Sequence, residues 1–298
     1  MFSGQSLGMG EPSEAYLEAL RDAVAVLTTC HQKEEIIAPV MSQAFGLIVG
    51  VTHGVDTDQF GAFSGEVERV GSALDALRLK IDAGFTYAPR ARFGLASEGS
   101  FSPDRQVGML ATYEEIVMFV DREWGLEVCG YDVGFQTNFA STRVESARSA
   151  FEFALRCGFP EHAMIVSAAP EGAPRPDLAV VKGLRRRDAL EAHVRDVVER
   201  YGGAFVQTDM RAHMNPTRKR AIARASEDLV RRLRSPCPHC GHPDFSMRKA
   251  FGGRPCQVCR SETLLPRYRR YKCLKCGHYR DDEDASPADA AHCPDCNP

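Results

Sequence analysis

Val24-Ala-Val-Leu-Thr-Thr-Cys-His-Gln-Lys33, followed by Glu34-Glu-Ile-Ile-Ala-Pro-Val-Met-Ser-Gln-Ala-Phe45 and Leu47-Ile-Val-Gly-Val51, changes its periodicity twice in one short stretch. Val24 to Leu27 is a continuous apolar run of strand length. Thr28 to Lys33 is a polar connection, and Ile36, Ile37, Val40, Met41, Ala44 and Phe45 recur on one helical face. Leu47 to Val51 is apolar again, so the stretch reads strand, helix, strand. Pro39 cannot donate a helical hydrogen bond and crowds the preceding turn, which predicts that the helix proper starts late.

The same alternation continues along the chain. Ser72 with Asp75 three residues later forms a capping box, Leu74, Leu77 and Ile81 share a face, and Gly84 is the expected stop. Phe93 to Ala96 reads as a strand running into a loop, Ser97-Glu-Gly-Ser-Phe101. Ile116 to Val120 and Leu126 to Tyr131 flank Trp124-Gly125 as a hairpin. A helix is expected from about Thr142, with Glu145 in capping position, then strands at Ala163 to Ser167, Leu178 to Val181 and Phe205 to Thr208. Helices are expected at Asp188 to Tyr201 and from Pro216 to about Leu233. Such a pattern predicts an α/β fold, a mixed sheet with flanking helices, over residues 23–234. Residues 1–22 read as a disordered start and a short helix, and residues 235–298 as a separate small domain.

That small domain carries four Cys-x-x-Cys knuckles: Cys237/Cys240, Cys256/Cys259, Cys273/Cys276 and Cys293/Cys296. Two thiolates two residues apart ligate one zinc from a tight turn, and a second pair completes a tetrahedral shell, so eight cysteines predict two structural zinc ions in a double zinc ribbon. The favoured pairing joins neighbours in sequence as successive ribbons; an inner hairpin closed by Cys256/Cys259 and Cys273/Cys276 is the alternative. Four thiolates leave no open metal position, which puts any catalysis upstream. Disulfides suit this spacing less well, and with no secretory signal read at the start, the thiol-rich tail points to the cytoplasm.

With 298 residues, 44% apolar, and a formal net charge of −3, the chain has room for a sizeable core and no global field for nucleic acid or membrane. No apolar run is long enough to span a bilayer. Oligomeric state is left open.

Three constellations carry possible chemistry. Thr28, Thr29 and Lys33 offer hydroxyls, amides and a cation in a strand-to-helix turn, a combination suited to phosphate. Asp56 and Asp58, with Glu66, Glu68 and Glu98, are carboxylates near strand ends, of the kind that hold magnesium against a phosphate substrate; Ser97 and Ser100 flank Glu98. Asn215 before Pro216 marks a helix start, around which Arg211, His213 and Arg218 frame an anion site. A fourth feature is the basic run Arg267, Arg269, Arg270 and Lys272 with Tyr268 and Tyr271 interleaved. It suits nucleic-acid contact through the ribbon, but the favoured reading is an ordinary solvated hairpin.

Asp56-Thr-Asp-Gln-Phe-Gly61, Gly94-Leu-Ala-Ser-Glu-Gly-Ser-Phe101, Thr208-Asp-Met-Arg-Ala-His213, Asn215-Pro-Thr-Arg218 and Cys293-Pro-Asp-Cys-Asn-Pro298 together resemble an uncharacterised family of bacterial proteins known as a domain of unknown function. The likeness runs over nearly the whole chain. More distantly, the strand, Thr-Thr-x-x-x-Lys turn, helix, strand, acidic loop order is similar to the pyrophosphatases that act on inosine and xanthosine triphosphates. That resemblance implies a two-lobed fold in which Thr28, Thr29 and Lys33 bind phosphate and Glu98 holds a metal or positions water. Cys30 stands where that family has asparagine, and the zinc tail is foreign to it. The expectation is a magnesium-dependent hydrolase of nucleotides or other phosphorylated small molecules, with Glu98, Asp56 and Asp58 as catalytic carboxylates. The alternative is a zinc-ribbon protein that binds nucleic acid or protein and senses a ligand with its α/β domain.

Overall fold

The computed structural model describes residues 11–60, 71–103 and 111–298. The chain divides into two compact units. One is Arg21–Val230; the other joins the first helix, α1 (Glu11–Glu18), to Arg231–Pro298.

In the larger unit the opening stretch folds as β1 (Val24–Thr28), α2 (Glu34–Phe45) and β2 (Ile48–Val51). A 3-10 turn at Thr57–Phe60, α3 (Ala73–Tyr87), β3 (Phe93–Pro103), β4 (Ala111–Asp121) and β5 (Leu126–Gly134) follow. The five strands form one mixed sheet in the order β2-β1-β3-β4-β5, with β1 parallel to β2 and β3 and the rest antiparallel. The chain leaves β1 for β2 on one side and returns through α3 to β3 on the other. The carboxyl end of β1 is therefore a topological switch point, where a crevice opens in sheets of this kind.

β6 (Ser141–Val144), α4 (Ala147–Arg156), β7 (Met164–Ala168), β8 (Arg175–Leu184), α5 (Arg187–Tyr201) and β9 (Ala204–Thr208) build a second, antiparallel sheet in the order β6-β9-β7-β8. Phe153, Leu190, Val194 and Val197 of α4 and α5 share a buried core with Met164, Val166 and Val206 of that sheet. The last helix, α6 (Pro216–Leu233), runs over the predicted residues because Asn215 accepts from the Arg218 amide at 3.0 Å and Pro216 needs no donor at the first helical position.

Four sequence expectations need correction. Helix α2 does not start late: it runs from Glu34 to Phe45 with Pro39, which cannot donate a helical hydrogen bond, inside it. Gly84 does not end α3. It lies inside the helix because a Cβ there would come within 2.4 Å of Thr28 Oγ1, so glycine permits close approach to β1. Thr142 belongs to β6, held by pairing with Val206, and Ser146 caps α4 by accepting from the Ser149 amide at 3.2 Å. Ser97–Phe101 is no loop but the continuation of β3, paired residue by residue with Val117–Tyr113 of β4.

In the smaller unit, β10 (Ser246–Pro255), β11 (Glu262–Lys272) and β12 (Tyr279–Glu283) form an antiparallel sheet. Phe245 packs with buried Cys237 and Cys273 as its core. Among the described residues, no helix is long and apolar enough to cross a membrane.

Candidate functional site

β1 ends at Thr28, opposite Ala96, while β3 runs on to Pro103. Lys33, the residue before α2, fills the place that the missing strand vacates: its Nζ donates to the Ser97 carbonyl at 3.1 Å, one residue past the last β1 partner. Successive residues of a strand face opposite sides of the sheet. Glu98, in register with Ile116, therefore faces α3 and pairs with Lys80; Glu115, in register with Gly99, faces α6 and accepts from Arg218 Nε at 2.5 Å. Lys33 sits at the sheet's end with an ion pair on either face.

All five groups are buried: Lys33 and Lys80 are 5% exposed, Glu98 7%, Arg218 3% and Glu115 0%. Burial is the main reason that the Lys33 amine is pushed down to about 7. The positive charges of Arg218 and Lys80 act in the same direction, against Glu98 and Glu115. The Thr28 and Ser97 hydroxyls and Glu115 Oε2 are buried without a hydrogen-bond partner. Buried polar atoms of this kind call for water or a polar ligand.

Two more predicted segments meet this end of the sheet. The His31 and His213 rings stack at 5.5 Å, joining the β1–α2 turn to the 3-10 turn Ala212–Met214, and burial lowers the His213 pKa, followed by the charge of Arg211. Cys30 Sγ lies 2.8 Å from Thr57 Oγ1, tying in the segment that carries Asp56. Thr29 Oγ1 accepts from the His31 amide at 3.4 Å. Asp56 itself is exposed. The Asp58 side chain, Glu66 and Glu68 lie outside the described residues.

Arg211 is clasped by Asp209, its Nη2 at 2.6 Å, and Asp209 also accepts from the Gly183 amide. Asn215 is wholly buried as a helix cap and donates to Asn138 at 2.9 Å. Ser100 is half-buried farther along β3. The structure thus gathers Thr28, Thr29, Lys33, Ser97, Glu98, His213 and Arg218 around one strand end, whereas Arg211 and Asn215 have structural partners.

Sequence reasoning missed Lys80 and Glu115. Lys80 was legible as a charge on the apolar stripe of Leu77, Ile81 and Gly84. Glu115 carried a weaker signal, sharing a strand face with Tyr113 and Val117, which are both buried.

The eight knuckle cysteines form two tetrads, Cys237, Cys240, Cys273 and Cys276, and Cys256, Cys259, Cys293 and Cys296. The first knuckle pairs with the third and the second with the fourth. This crossed arrangement replaces both the successive pairing and the inner-hairpin alternative. The antiparallel β10–β11 pairing sets the first and third knuckles together at one end of the sheet, with Ser246 opposite Lys272. The second and fourth meet beyond the other end, where Pro255 faces Glu262 and Cys256 bridges Ala288.

Sulfur separations between knuckles of 3.7 Å in the first tetrad, and 3.9 and 3.5 Å in the second, match the edge of a zinc–thiolate tetrahedron, about 3.8 Å for Zn–S bonds of ~2.3 Å. They are far longer than a disulfide bond. Each knuckle also closes the same turn: the carbonyls of Cys237, Cys256, Cys273 and Cys293 accept from the amides four residues on. The residues present therefore fit two zinc ions.

Two of the four cations in the basic run of β11 are paired within their own sheet. Arg267 pairs with Glu283 at 2.6 Å and Arg270 with Asp281 at 2.6 Å, while Tyr268 stacks on Phe251 and Tyr271 lies tilted against Phe245.

Comparison with curated proteins finds no match. Residues 88–298, which hold β3 to β5, the second sheet, α6 and both cysteine tetrads, match a family model described as a domain of unknown function (DUF6671), and the chain belongs to that family.

Proposed function

We propose that the larger unit binds a small phosphorylated molecule at the end of β1, and that hydrolysis of a phosphate ester or anhydride is the reaction this binding serves. One observation carries the reading: Lys33, Lys80 and Arg218 converge, buried, at the carboxyl end of the central parallel strand, against only Glu98 and Glu115 among the charges that act on Lys33. A sheet end rich in cations and in unpartnered hydroxyls suits an anion with several acceptor oxygens. The substrate class comes from the likeness of the Thr28-Thr29-x-x-x-Lys33 turn to that of the nucleoside triphosphate pyrophosphatases. In this reading Lys33 and the Ser97 hydroxyl contact the phosphate, the Thr28 hydroxyl lying on the opposite face against α3, while Lys80 and Arg218 supply charge from either face. Magnesium would enter with the ligand's phosphates, keeping most of its waters. Glu98 is engaged by Lys80, so direct ligation there would have to displace that pair.

The test is a panel of nucleoside triphosphates and sugar phosphates with Mg²⁺, scored for binding by calorimetry and for release of phosphate or pyrophosphate. Native protein should bind at least one member, and Lys33→Met should weaken that binding tenfold or more. Equal affinity in native and variant protein, or no binding of any member, would end the proposal.

A further inference from the structure

We propose that the larger unit takes up a proton together with its anion, and that Lys33 is the group that receives it. The inference rests on the anion-binding reading above and adds what controls the occupancy of the site.

The argument is one of charge balance in a buried place. The charged groups facing Lys33 from neighbouring elements are Lys80 on α3, Glu98 on β3, Glu115 on β4 and Arg218 on α6. On its own helix Glu34 follows, half-buried with Oε2 lacking a hydrogen-bond partner, and Glu35 faces Lys219 at 3.3 Å. Lys80 and Glu98 neutralise each other, as do Arg218 and Glu115. A protonated Lys33 would then be the surplus cation of these five groups, 5% exposed, with one hydrogen-bond acceptor, the Ser97 carbonyl. An ammonium in that position is relieved in one of two ways. It loses its proton, or an anion arrives.

The first describes the empty site, where burial and the two neighbouring cations bring the amine to about 7. The second describes the filled site: an anion beside Nζ favours the charged amine, raises its pKa and draws a proton from solvent. Lys80 and Arg218 cannot substitute for Lys33 in this role, since each already has a carboxylate partner. Affinity should therefore be greatest where the empty site is already protonated, below about pH 7, and should weaken by about tenfold per pH unit above it, the slope for one proton.

Sulfate is the probe, because it resembles a phosphate dianion but does not titrate near neutrality. The whole chain is titrated with sulfate by calorimetry at pH 6 and pH 8, in buffers of different ionisation enthalpy. The expected result is uptake approaching one proton at pH 8 and close to none at pH 6. Lys33→Arg, fixed in its charge, should bind with little pH dependence and no uptake, its fold checked by circular dichroism.

Sulfate binding at pH 8 without proton uptake, or the same uptake in Lys33→Arg, overturns the inference while leaving anion binding intact. No binding of sulfate or of any phosphorylated compound strikes the binding reading instead. A measurement on the native chain alone then decides the premise. Acetic anhydride labelling across pH, followed by peptide mass spectrometry, should show Lys33 titrating near 7; titration in the ordinary lysine range, above about 10, refutes it.

Discussion

Arg218, in the first turn of α6, donates Nε to Glu115 Oε1 in the middle of β4 at 2.5 Å, with both side chains almost wholly removed from solvent. The same guanidinium donates to the Met210 carbonyl and lies over the Phe101 ring at 5.4 Å. One residue thus fixes the start of a helix, the loop before it and the far part of β3. Leaving either charge alone in such a place costs about 3–5 kcal/mol, while removing both costs much less than the sum. Glu115→Gln and Arg218→Met should each lower unfolding free energy by several kcal/mol in urea titrations, and the double variant should show a coupling above about 1 kcal/mol. Additive effects would mean that the pair is not the source of either loss.

Two glycines record how closely the elements approach. A Cβ on Gly99 would fall 2.3 Å from Glu115 Oε1 and 2.6 Å from Arg218 Nη2. On Gly130 it would meet the Ala225 carbonyl at 2.2 Å and the Leu229 amide at 2.3 Å. Side-chain atoms can yield; the backbone of α6 cannot without shifting the helix. Gly99→Ala should therefore cost about 1–3 kcal/mol and Gly130→Ala more. Gly50→Ala, whose nearest contact would be at 3.8 Å, should change stability least. Thermal melts of the three variants test the order, which fails if Gly50→Ala proves as damaging as Gly130→Ala.

The crossed cysteine pairing is open to a direct chemical test. Cys256 and Cys293 belong to one tetrad here, whereas successive pairing would place them in two. The double variant Cys256→Ser/Cys293→Ser should lose about half of the bound zinc and keep a tetrathiolate site, seen as a cobalt-substituted absorption spectrum of the Cys237/Cys240/Cys273/Cys276 set. Loss of nearly all zinc would instead show that both sites had been damaged.

Stability should also respond to pH through Lys33. Its folded pKa of about 7 lies below the ordinary lysine value of 10.5, so between those limits the unfolded chain binds more protons than the folded one. Stability contributed by this residue therefore rises as pH increases from about 7 to 10.5, and the penalty is complete below 7. Lys33→Met should remove that component: the difference in unfolding free energy between variant and native chain should be larger at pH 7 than at pH 9.5. A pH-independent difference would place the ammonium in a better-solvated setting than the one described.

Local chemistry was enough for the parts of the molecule decided by neighbours in sequence. The Ser72–Asp75 capping box, the Asn215-Pro216 start of α6, the hairpin at Trp124-Gly125 and the four knuckles were all legible, because each motif satisfies its own backbone within a few residues. The alternation of strands and helices was legible from periodicity, and the family likeness from motifs that, Asp56–Gly61 apart, lie within residues 88–298.

What remained hidden depended on residues far apart. Ser97–Phe101 looked like a loop because small and polar residues broke its apolar run; Gly99 is small because Arg218 and Glu115 need the space, and Ser97 matters through its carbonyl, which receives Lys33. The importance of Lys80 and Glu115 lay in burial, a property of the packed sheet rather than of either residue. Knuckle pairing was hidden more completely, since four chemically equivalent Cys-x-x-Cys turns contain nothing to choose a partner. The sequence by itself determined most of the helices and apolar strands of the larger unit and that the tail carries two sets of four thiols. Only the tertiary structure decided which thiols share a site and which charges meet at the end of β1, because those choices follow from strand order and register, and registers are set by whole sheets rather than by local residues.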